Sequence, residues 1–158
     1  MTLGTELAAL IDRDLTRMAQ EIDAFPDDGA LWNTAPGVSN SAGNLVLHLE
    51  GNFRYYIGHH LGGVGYSRSR KQEFSQTGIT REDLRARVDL LSKTIPKIVA
   101  GLSDADLNNE YPEVVFSRPL STSQFLISLH GHFNYHLGQI DYLRRILTQG
   151  DEVDFVQL

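Results

Sequence analysis

The chain has 158 residues with 41% hydrophobic content, and its 14 basic and 20 acidic residues give a formal net charge of -6. This length and apolar content fit one globular domain, residues 1–158, whose core needs no disulfide. The acidic balance repels a phosphate backbone, so nucleic acid is not an expected partner. There is no cysteine, so a metal must be bound by imidazole or carboxylate groups. No apolar run approaches the ~20 residues of a membrane span, so no membrane association and a cytoplasmic location are expected.

Apolar residues recur every three or four positions over residues 2–24, which predicts an amphipathic first helix. Its end is predicted just before Pro26, because proline disfavours a helical conformation in the preceding residue. A second helix is predicted to begin at Asn40 or Ser41, either of which can cap it, and to end at Gly62-Gly63. Both helices have one apolar face, as expected for members of a bundle.

Residues 63–80 show no sustained periodicity and are long enough to cross the end of a bundle, so we predict a crossover connection. Thr80 begins a capping-box-like pattern that predicts the third helix, with apolar residues continuing to Ile98. Pro96 lies inside this pattern and is expected to kink or locally break the helix, because it lacks the N–H for one intrahelical hydrogen bond.

Residues 102–120 contain two prolines and predict a connection with one short helical turn or an extended piece. A second capping signature at Ser121 predicts the fourth and longest helix, which continues to a stop at Gly150. The tail, residues 151–158, is acidic and partly apolar, and it can pack either on the bundle or on a partner.

Two histidines, His132 and His136, lie four residues apart in the predicted fourth helix. This spacing projects both imidazoles from one helix face, at a separation that one metal ion can bridge. The apolar residues of the same helix place this face toward the bundle interior. A pair of buried neutral histidines bonded to a neighbouring helix gives the same pattern, so the pair by itself does not establish a metal site.

His48, in the second helix, is the candidate third ligand, because a neighbouring helix can bring it opposite the pair. Three imidazoles with one open position are typical of a catalytic zinc site, where the ion lowers the pKa of water or polarises a substrate. His59 and His60, near the end of the second helix, are competing candidates at another level of the bundle. His130 points to a different face of the fourth helix and is left outside the site.

Metal-bound imidazoles usually donate their second N–H to an oxygen acceptor. Asn52, Gln139 and Glu50 are the nearest candidates in the sequence for that role. Amides and carboxylates on polar helix faces are also commonly just solvated, so position along the chain is the only basis for these assignments.

The sequence around these histidines resembles the DinB/YfiT-like family of proposed metalloenzymes. The matching segments are LVLHLEGNFRYYIG at His48 and HFNYHLGQIDYLRRIL at His132 and His136. The resemblance extends over nearly the whole chain, and the segment ending in H-x-G-Q-I is its more specific part. It implies an all-α four-helix bundle of up-down-down-up topology, with a long crossover between helices two and three. It also implies a divalent metal, zinc or nickel, on the three histidines, and a homodimer.

Characterised members of the family resemble transferases or isomerases that use small thiols such as bacillithiol or mycothiol. The leading hypothesis is therefore a metal-dependent transferase or hydrolase, in particular an S-transferase that joins a small thiol to an electrophilic small molecule. Arg68, Arg70 and Lys71 form a short basic run that can attract an anionic cofactor, although such runs are also typical of solvated loops. The alternatives are a noncatalytic metal- or ligand-binding bundle and an interaction module.

Overall fold

The computed structural model describes residues 2–154, and all regular secondary structure in this range is helical. It contains no strand, although Glu110 and Ser121 form one isolated antiparallel bridge. A π-helical segment, Phe53–His59, directly continues the second helix, and a 3₁₀ turn covers Ala30–Trp32. The six α-helices within the described range are α1 (Leu3–Asp23), α2 (Ala42–Asn52), α3 (Arg70–Ser75), α4 (Arg81–Ala100), α5 (Asp104–Asn108) and α6 (Thr122–Thr148). The all-α prediction and the four long helices are confirmed.

Each long helix begins at a hydroxyl side chain. Thr2, Ser41, Thr80 and Ser121 each accept a hydrogen bond from the backbone N–H three residues further along. This bond satisfies one of the donors that the first turn of a helix leaves unpaired. The predicted starts of the second, third and fourth long helices therefore follow directly from local capping chemistry.

Pro96 neither ends nor interrupts α4, which continues to Ala100. The predicted local break at this position is wrong. The apolar residues on either side of the proline, Ile95 and Val99, are both buried in the core. Packing of the helix therefore offsets the single hydrogen bond that Pro96 cannot make.

The crossover between α2 and α4 contains the short helix α3, which periodicity did not predict because six residues span fewer than two turns. The side-chain amide of Asn44, on α2, anchors α3. It donates to the backbone oxygens of Glu73 and Gln76, at 3.1 and 2.8 Å. The crossover is thereby held against the bundle, as a structural part of it.

Side-chain contacts fix the direction of the four long helices. Asp23 at the end of α1 pairs with Arg85 near the start of α4, so these two helices are antiparallel. Helices α1 and α6 are parallel, and α2 and α6 are antiparallel. The contacts that establish this are Asp14 with His130 and Glu21 with Arg144 for the first pair, and Phe53 with Phe133 and Tyr56 with Phe125 for the second. The topology is up-down-down-up, as predicted.

The core lies between these four helices, where apolar side chains from each are fully buried. Among them are Leu15, Met18, Ile22, Ile57, Leu84, Val88 and Ile140. Among the residues that the structure describes, no helix is both long enough and apolar enough to cross a membrane. The last four residues of the acidic tail lie outside the described residues, and the predicted packing of the tail depends in part on them.

Candidate metal centre

Helices α2 and α6 bring three histidines together. His48 lies on α2, and His132 and His136 lie one turn apart on α6. One ring nitrogen of each lies within 4.8 Å of the others. The i, i+4 spacing aligns the pair on one face of α6, and the antiparallel packing of α2 places His48 opposite that face.

The hydrogen bonds of the three rings indicate which nitrogens face the centre of the cluster. His48 Nδ1 is bonded to Glu73 Oε2 at 2.9 Å, and His136 Nδ1 to Gln139 Oε1 at 2.7 Å. Nε2 is therefore the nitrogen that each of these rings can offer to a metal, and His48 Nε2 lies 3.1 Å from Nε2 of His132. Two nitrogens bound to one ion at 2.0–2.1 Å are separated by roughly 3.0–3.4 Å, so the His48 and His132 pair has the spacing of two ligands of one transition-metal ion.

The carboxylate of Glu73, on α3, fixes the ring of His48. Arg68 in turn holds this carboxylate from the other side, with its Nε 2.7 Å from Oε1 and its Nη2 2.9 Å from Oε2. A histidine whose second nitrogen is bonded to a carboxylate is the usual arrangement at metal sites, because that bond fixes the ring orientation and makes the ligand more basic. Glu73 was not predicted, since the crossover has no periodicity that would place its buried side chain.

Of Asn52, Gln139 and Glu50, the three residues predicted as acceptors for the outer nitrogen of a histidine, only Gln139 has that contact. Gln139 accepts the hydrogen bond from His136, in the role considered for it. The Asn52 amide nitrogen lies 3.3 Å from His48 Nε2, so Asn52 adjoins the centre itself and not the outer nitrogen. Glu50 pairs with Arg54 and Arg87, away from the histidines.

The remaining histidines lie elsewhere. His60 Nε2 is bonded to Glu113 at 3.0 Å, and His59 Nδ1 lies 3.3 Å from the backbone oxygen of Val64. His130 contacts the buried carboxylate of Asp14 on α1, so it lies outside the cluster. None of these three joins the cluster of His48.

The environment of His132 and His136 favours the neutral imidazole, which is the form that binds a metal. Burial, and then the neighbouring His136 and His48, lower the pKa of His132 to about 4. Burial also lowers the pKa of His136, against the opposing effect of its bond to Gln139. Burial would raise the pKa of Glu73, but hydrogen bonds from Arg68 and His48 outweigh it, and the pKa is lowered. Glu73 is therefore a carboxylate at neutral pH.

His48 and His132 also line a cavity of about 460 Å³ that opens beside the cluster. Its apolar lining comes mostly from α6 and from the segment before it, and Arg68 and Arg70 of the crossover also line it. Lys71 is exposed on α3 and is not among the lining residues. A ligand in this cavity would reach the side of the cluster that the protein does not occupy, so the arrangement leaves room for an exchangeable position on a metal.

An up-down-down-up helical bundle with three histidines on its second and last long helices is the arrangement that the resemblance to DinB-like proteins implies. The chain belongs to the DinB-like family described as a protein of unknown function, DUF1572, whose model matches residues 7–156. A search of curated proteins finds no match.

Solved structures share the fold across most of the chain. A conserved protein from Enterococcus faecalis superposes with a TM-score of 0.75 at 12% identity, covering 95% of this chain and 99% of its own. A DinB-like protein from Bacillus subtilis gives 0.72 at 15% identity, with coverages of 95% and 96%. A DinB-like protein from Bacillus cereus ATCC 10987 gives 0.65 at 20% identity, with coverages of 84% and 85%.

The bond between Glu73 and His48 gives a prediction that can be tested from two directions. Glu73→Gln removes the charge that orients His48, and we expect it to weaken metal binding by roughly 10-fold to 100-fold. Gly51→Ala should have a similar effect, because a β-carbon at Gly51 collides with the carboxylate of Glu73. Metal affinity is measured by competition with a chromophoric chelator.

Gly58→Ala is the matched control, because a β-carbon there meets only ordinary contacts, 3.8 Å or more away. Metal affinity equal to wild type in both Glu73→Gln and Gly51→Ala would contradict the role assigned to Glu73.

Proposed function

We propose that this protein is a metal-dependent enzyme, in which His48, His132 and His136 bind one divalent ion, zinc or nickel. The observation that carries this proposal is the convergence of three imidazoles beside an open cavity. A bound ion would act as a Lewis acid there and lower the pKa of a thiol or water molecule at its open position.

The reaction we propose is transfer of a small thiol to an electrophilic small molecule. The chain has no cysteine, so the attacking sulfur must come from a bound cosubstrate. The thiol gives up its proton to solvent, its sulfur forms a bond to the electrophilic carbon, and the leaving group departs with the electron pair of the bond that breaks. The amide of Gln124 and the hydroxyl of Ser128 line the cavity and provide polar contacts that orient the two substrates.

The test is turnover by protein loaded with zinc or nickel. The assay pairs bacillithiol or mycothiol with 1-chloro-2,4-dinitrobenzene and follows formation of the thioether. We expect a rate above that of the uncatalysed reaction, and expect the rate to fall to background in His132→Ala. A metal-loaded wild-type protein that gives only background rates with both thiols would overturn the transferase assignment.

A noncatalytic metal-binding bundle predicts a different result. The ion would join α2 to α6, so a strong chelator would lower the melting temperature greatly while no thiol reacted. A small change in melting temperature upon metal removal favours the enzyme. In a catalytic site the fold positions the metal ligands, whereas in a structural site the metal stabilises the fold. Homodimerisation stays a prediction, which the mass of the protein in solution tests.

A further inference from the structure

The cavity beside the histidine cluster has an unusual distribution of charge. The chain as a whole has a net charge of -6, yet the described residues that line this cavity include three arginines and no aspartate or glutamate. The arginines are Arg68, Arg70 and Arg118. A cavity with this lining attracts an anion, against the charge of the rest of the molecule.

Only one of the three arginines has a carboxylate partner among the described residues. Arg68 is held by Glu73 on two of its nitrogens and is largely buried. Arg70 lies over the ring of Phe74, at 5.1 Å, and Arg118 forms no ion pair within the described part of the chain. Both of these side chains are exposed, so their guanidinium groups are available to a ligand that enters from solvent.

Part of the cavity lining is apolar. It is formed by Val115, Phe116 and Leu120 from the segment before α6, and by Phe125 and Leu129 from α6 itself. Phe116 is 51% exposed, so its ring is accessible to a ligand that enters from solvent. The cavity thus offers an apolar surface and cationic groups to the same ligand.

The backbone between two of the lining residues has a rare conformation. Ser117 has φ of 58°, in the left-handed region that residues other than glycine seldom adopt. It separates Phe116 from Arg118, and both of these line the cavity. Strained residues of this kind are concentrated at ligand-binding segments, where the strain positions the neighbouring side chains.

We infer that this cavity binds an amphipathic organic anion. Its carboxylate or phosphate group pairs with Arg118 and Arg70, and its aliphatic or aromatic body lies against the wall that contains Phe116. The other end of the molecule reaches His132, which lines the same cavity. The inference rests on the proposed function only where it makes this anion the substrate, since the binding itself requires no metal.

The experiment measures binding by isothermal titration calorimetry to full-length protein freed of metal with a chelator. The probes are octanoate and octanamide, which have the same chain and differ in charge. We expect wild-type protein to bind octanoate at least about tenfold more tightly than octanamide, because charge-assisted hydrogen bonds to arginine are lost with the amide. Arg118→Gln should weaken octanoate binding by about tenfold or more and leave octanamide binding unchanged.

Arg145→Gln is the matched control, since Arg145 is a partly exposed arginine on α6 that does not line the cavity. It should bind both probes as the wild type does. Melting curves of the three proteins verify that each is folded. Absence of octanoate binding, equal affinity for octanoate and octanamide, or equal affinities in Arg118→Gln and Arg145→Gln would each overturn the inference.

The same titrations on protein that has been offered zinc distinguish this inference from the proposed function. Discrimination between octanoate and octanamide in a protein that binds no metal leaves the anion site standing and removes the enzyme proposal. If the protein binds metal but binds octanoate and octanamide equally well, the enzyme proposal stands and the anion site is ruled out.

Discussion

Replacing His132 or His136 with alanine is expected to lower the affinity for Zn²⁺ or Ni²⁺ by at least about 100-fold. Each variant removes one of three nitrogen donors, and this loss exceeds the 10-fold to 100-fold effect of removing an outer-sphere partner. His48→Ala should have the same effect, although His48 lies on α2 and the other two histidines lie on α6. The measurement is metal content after dialysis, together with a chelator competition titration.

His59→Ala provides the control for these variants. His59 follows α2 within the same helical segment as His48, but its side chain contacts only the backbone of Val64 and neighbouring rings. This variant should retain full metal content. If His132→Ala and His136→Ala also retain it, the histidine cluster is not the metal site, and the assignment built on it is wrong.

Loss of the Arg144 side chain should lower the free energy of unfolding more than loss of any metal-binding histidine does. Arg144, on α6, is 2% exposed, and its Nε donates to Glu21 on α1, which is 0% exposed, at 2.5 Å. Arg144→Met would leave the Glu21 charge buried and unpaired. Breaking a buried ion pair in this way costs about 3–5 kcal/mol. For a chain of this size, the melting temperature should fall by roughly 6–20 °C.

Arg145→Met is the adjacent control. Arg145 is substantially exposed, with an ion pair to Asp141 at 3.5 Å, so its loss should cost under about 1 kcal/mol. The double variant Glu21→Leu with Arg144→Met should recover most of the stability, because a buried pair replaced by apolar side chains leaves no charge unpaired. A fall as large in the double variant as in Arg144→Met would show that the contribution of Arg144 does not come from Glu21.

The pH dependence of Arg144→Met has a defined sign. Burial already outweighs Arg144 and raises the pKa of Glu21 in the wild type, and loss of the arginine raises that pKa further. A carboxyl group with a raised folded-state pKa destabilises the protein above that pKa. The penalty disappears as the pH falls to the unfolded value, near 4.3. The stability difference between Arg144→Met and wild type should therefore shrink as the pH is lowered from 7 toward 4.

Sequence patterns were informative wherever the controlling interactions were local. The caps at Ser41, Thr80 and Ser121 and the apolar periodicity behind them predicted three of the long helices, because both signals lie within a few turns of chain. Pro96 was misleading for the same reason. Its local effect is to kink or break a helix, and burial of the surrounding residues in the core prevents the break.

The chain by itself determined the pairing of His132 with His136, since a spacing of four residues on a helix fixes their common face. Only the tertiary structure decided that His48, and not His59 or His60, completes the cluster, because that choice depends on the level at which α2 packs against α6. The hydrogen bond of His48 to Glu73, and the cavity that Arg118 shares with Arg68 and Arg70, were likewise beyond sequence reasoning. They depend on how a crossover without periodicity folds back onto α2, and on a segment before α6 that meets it only in the folded protein.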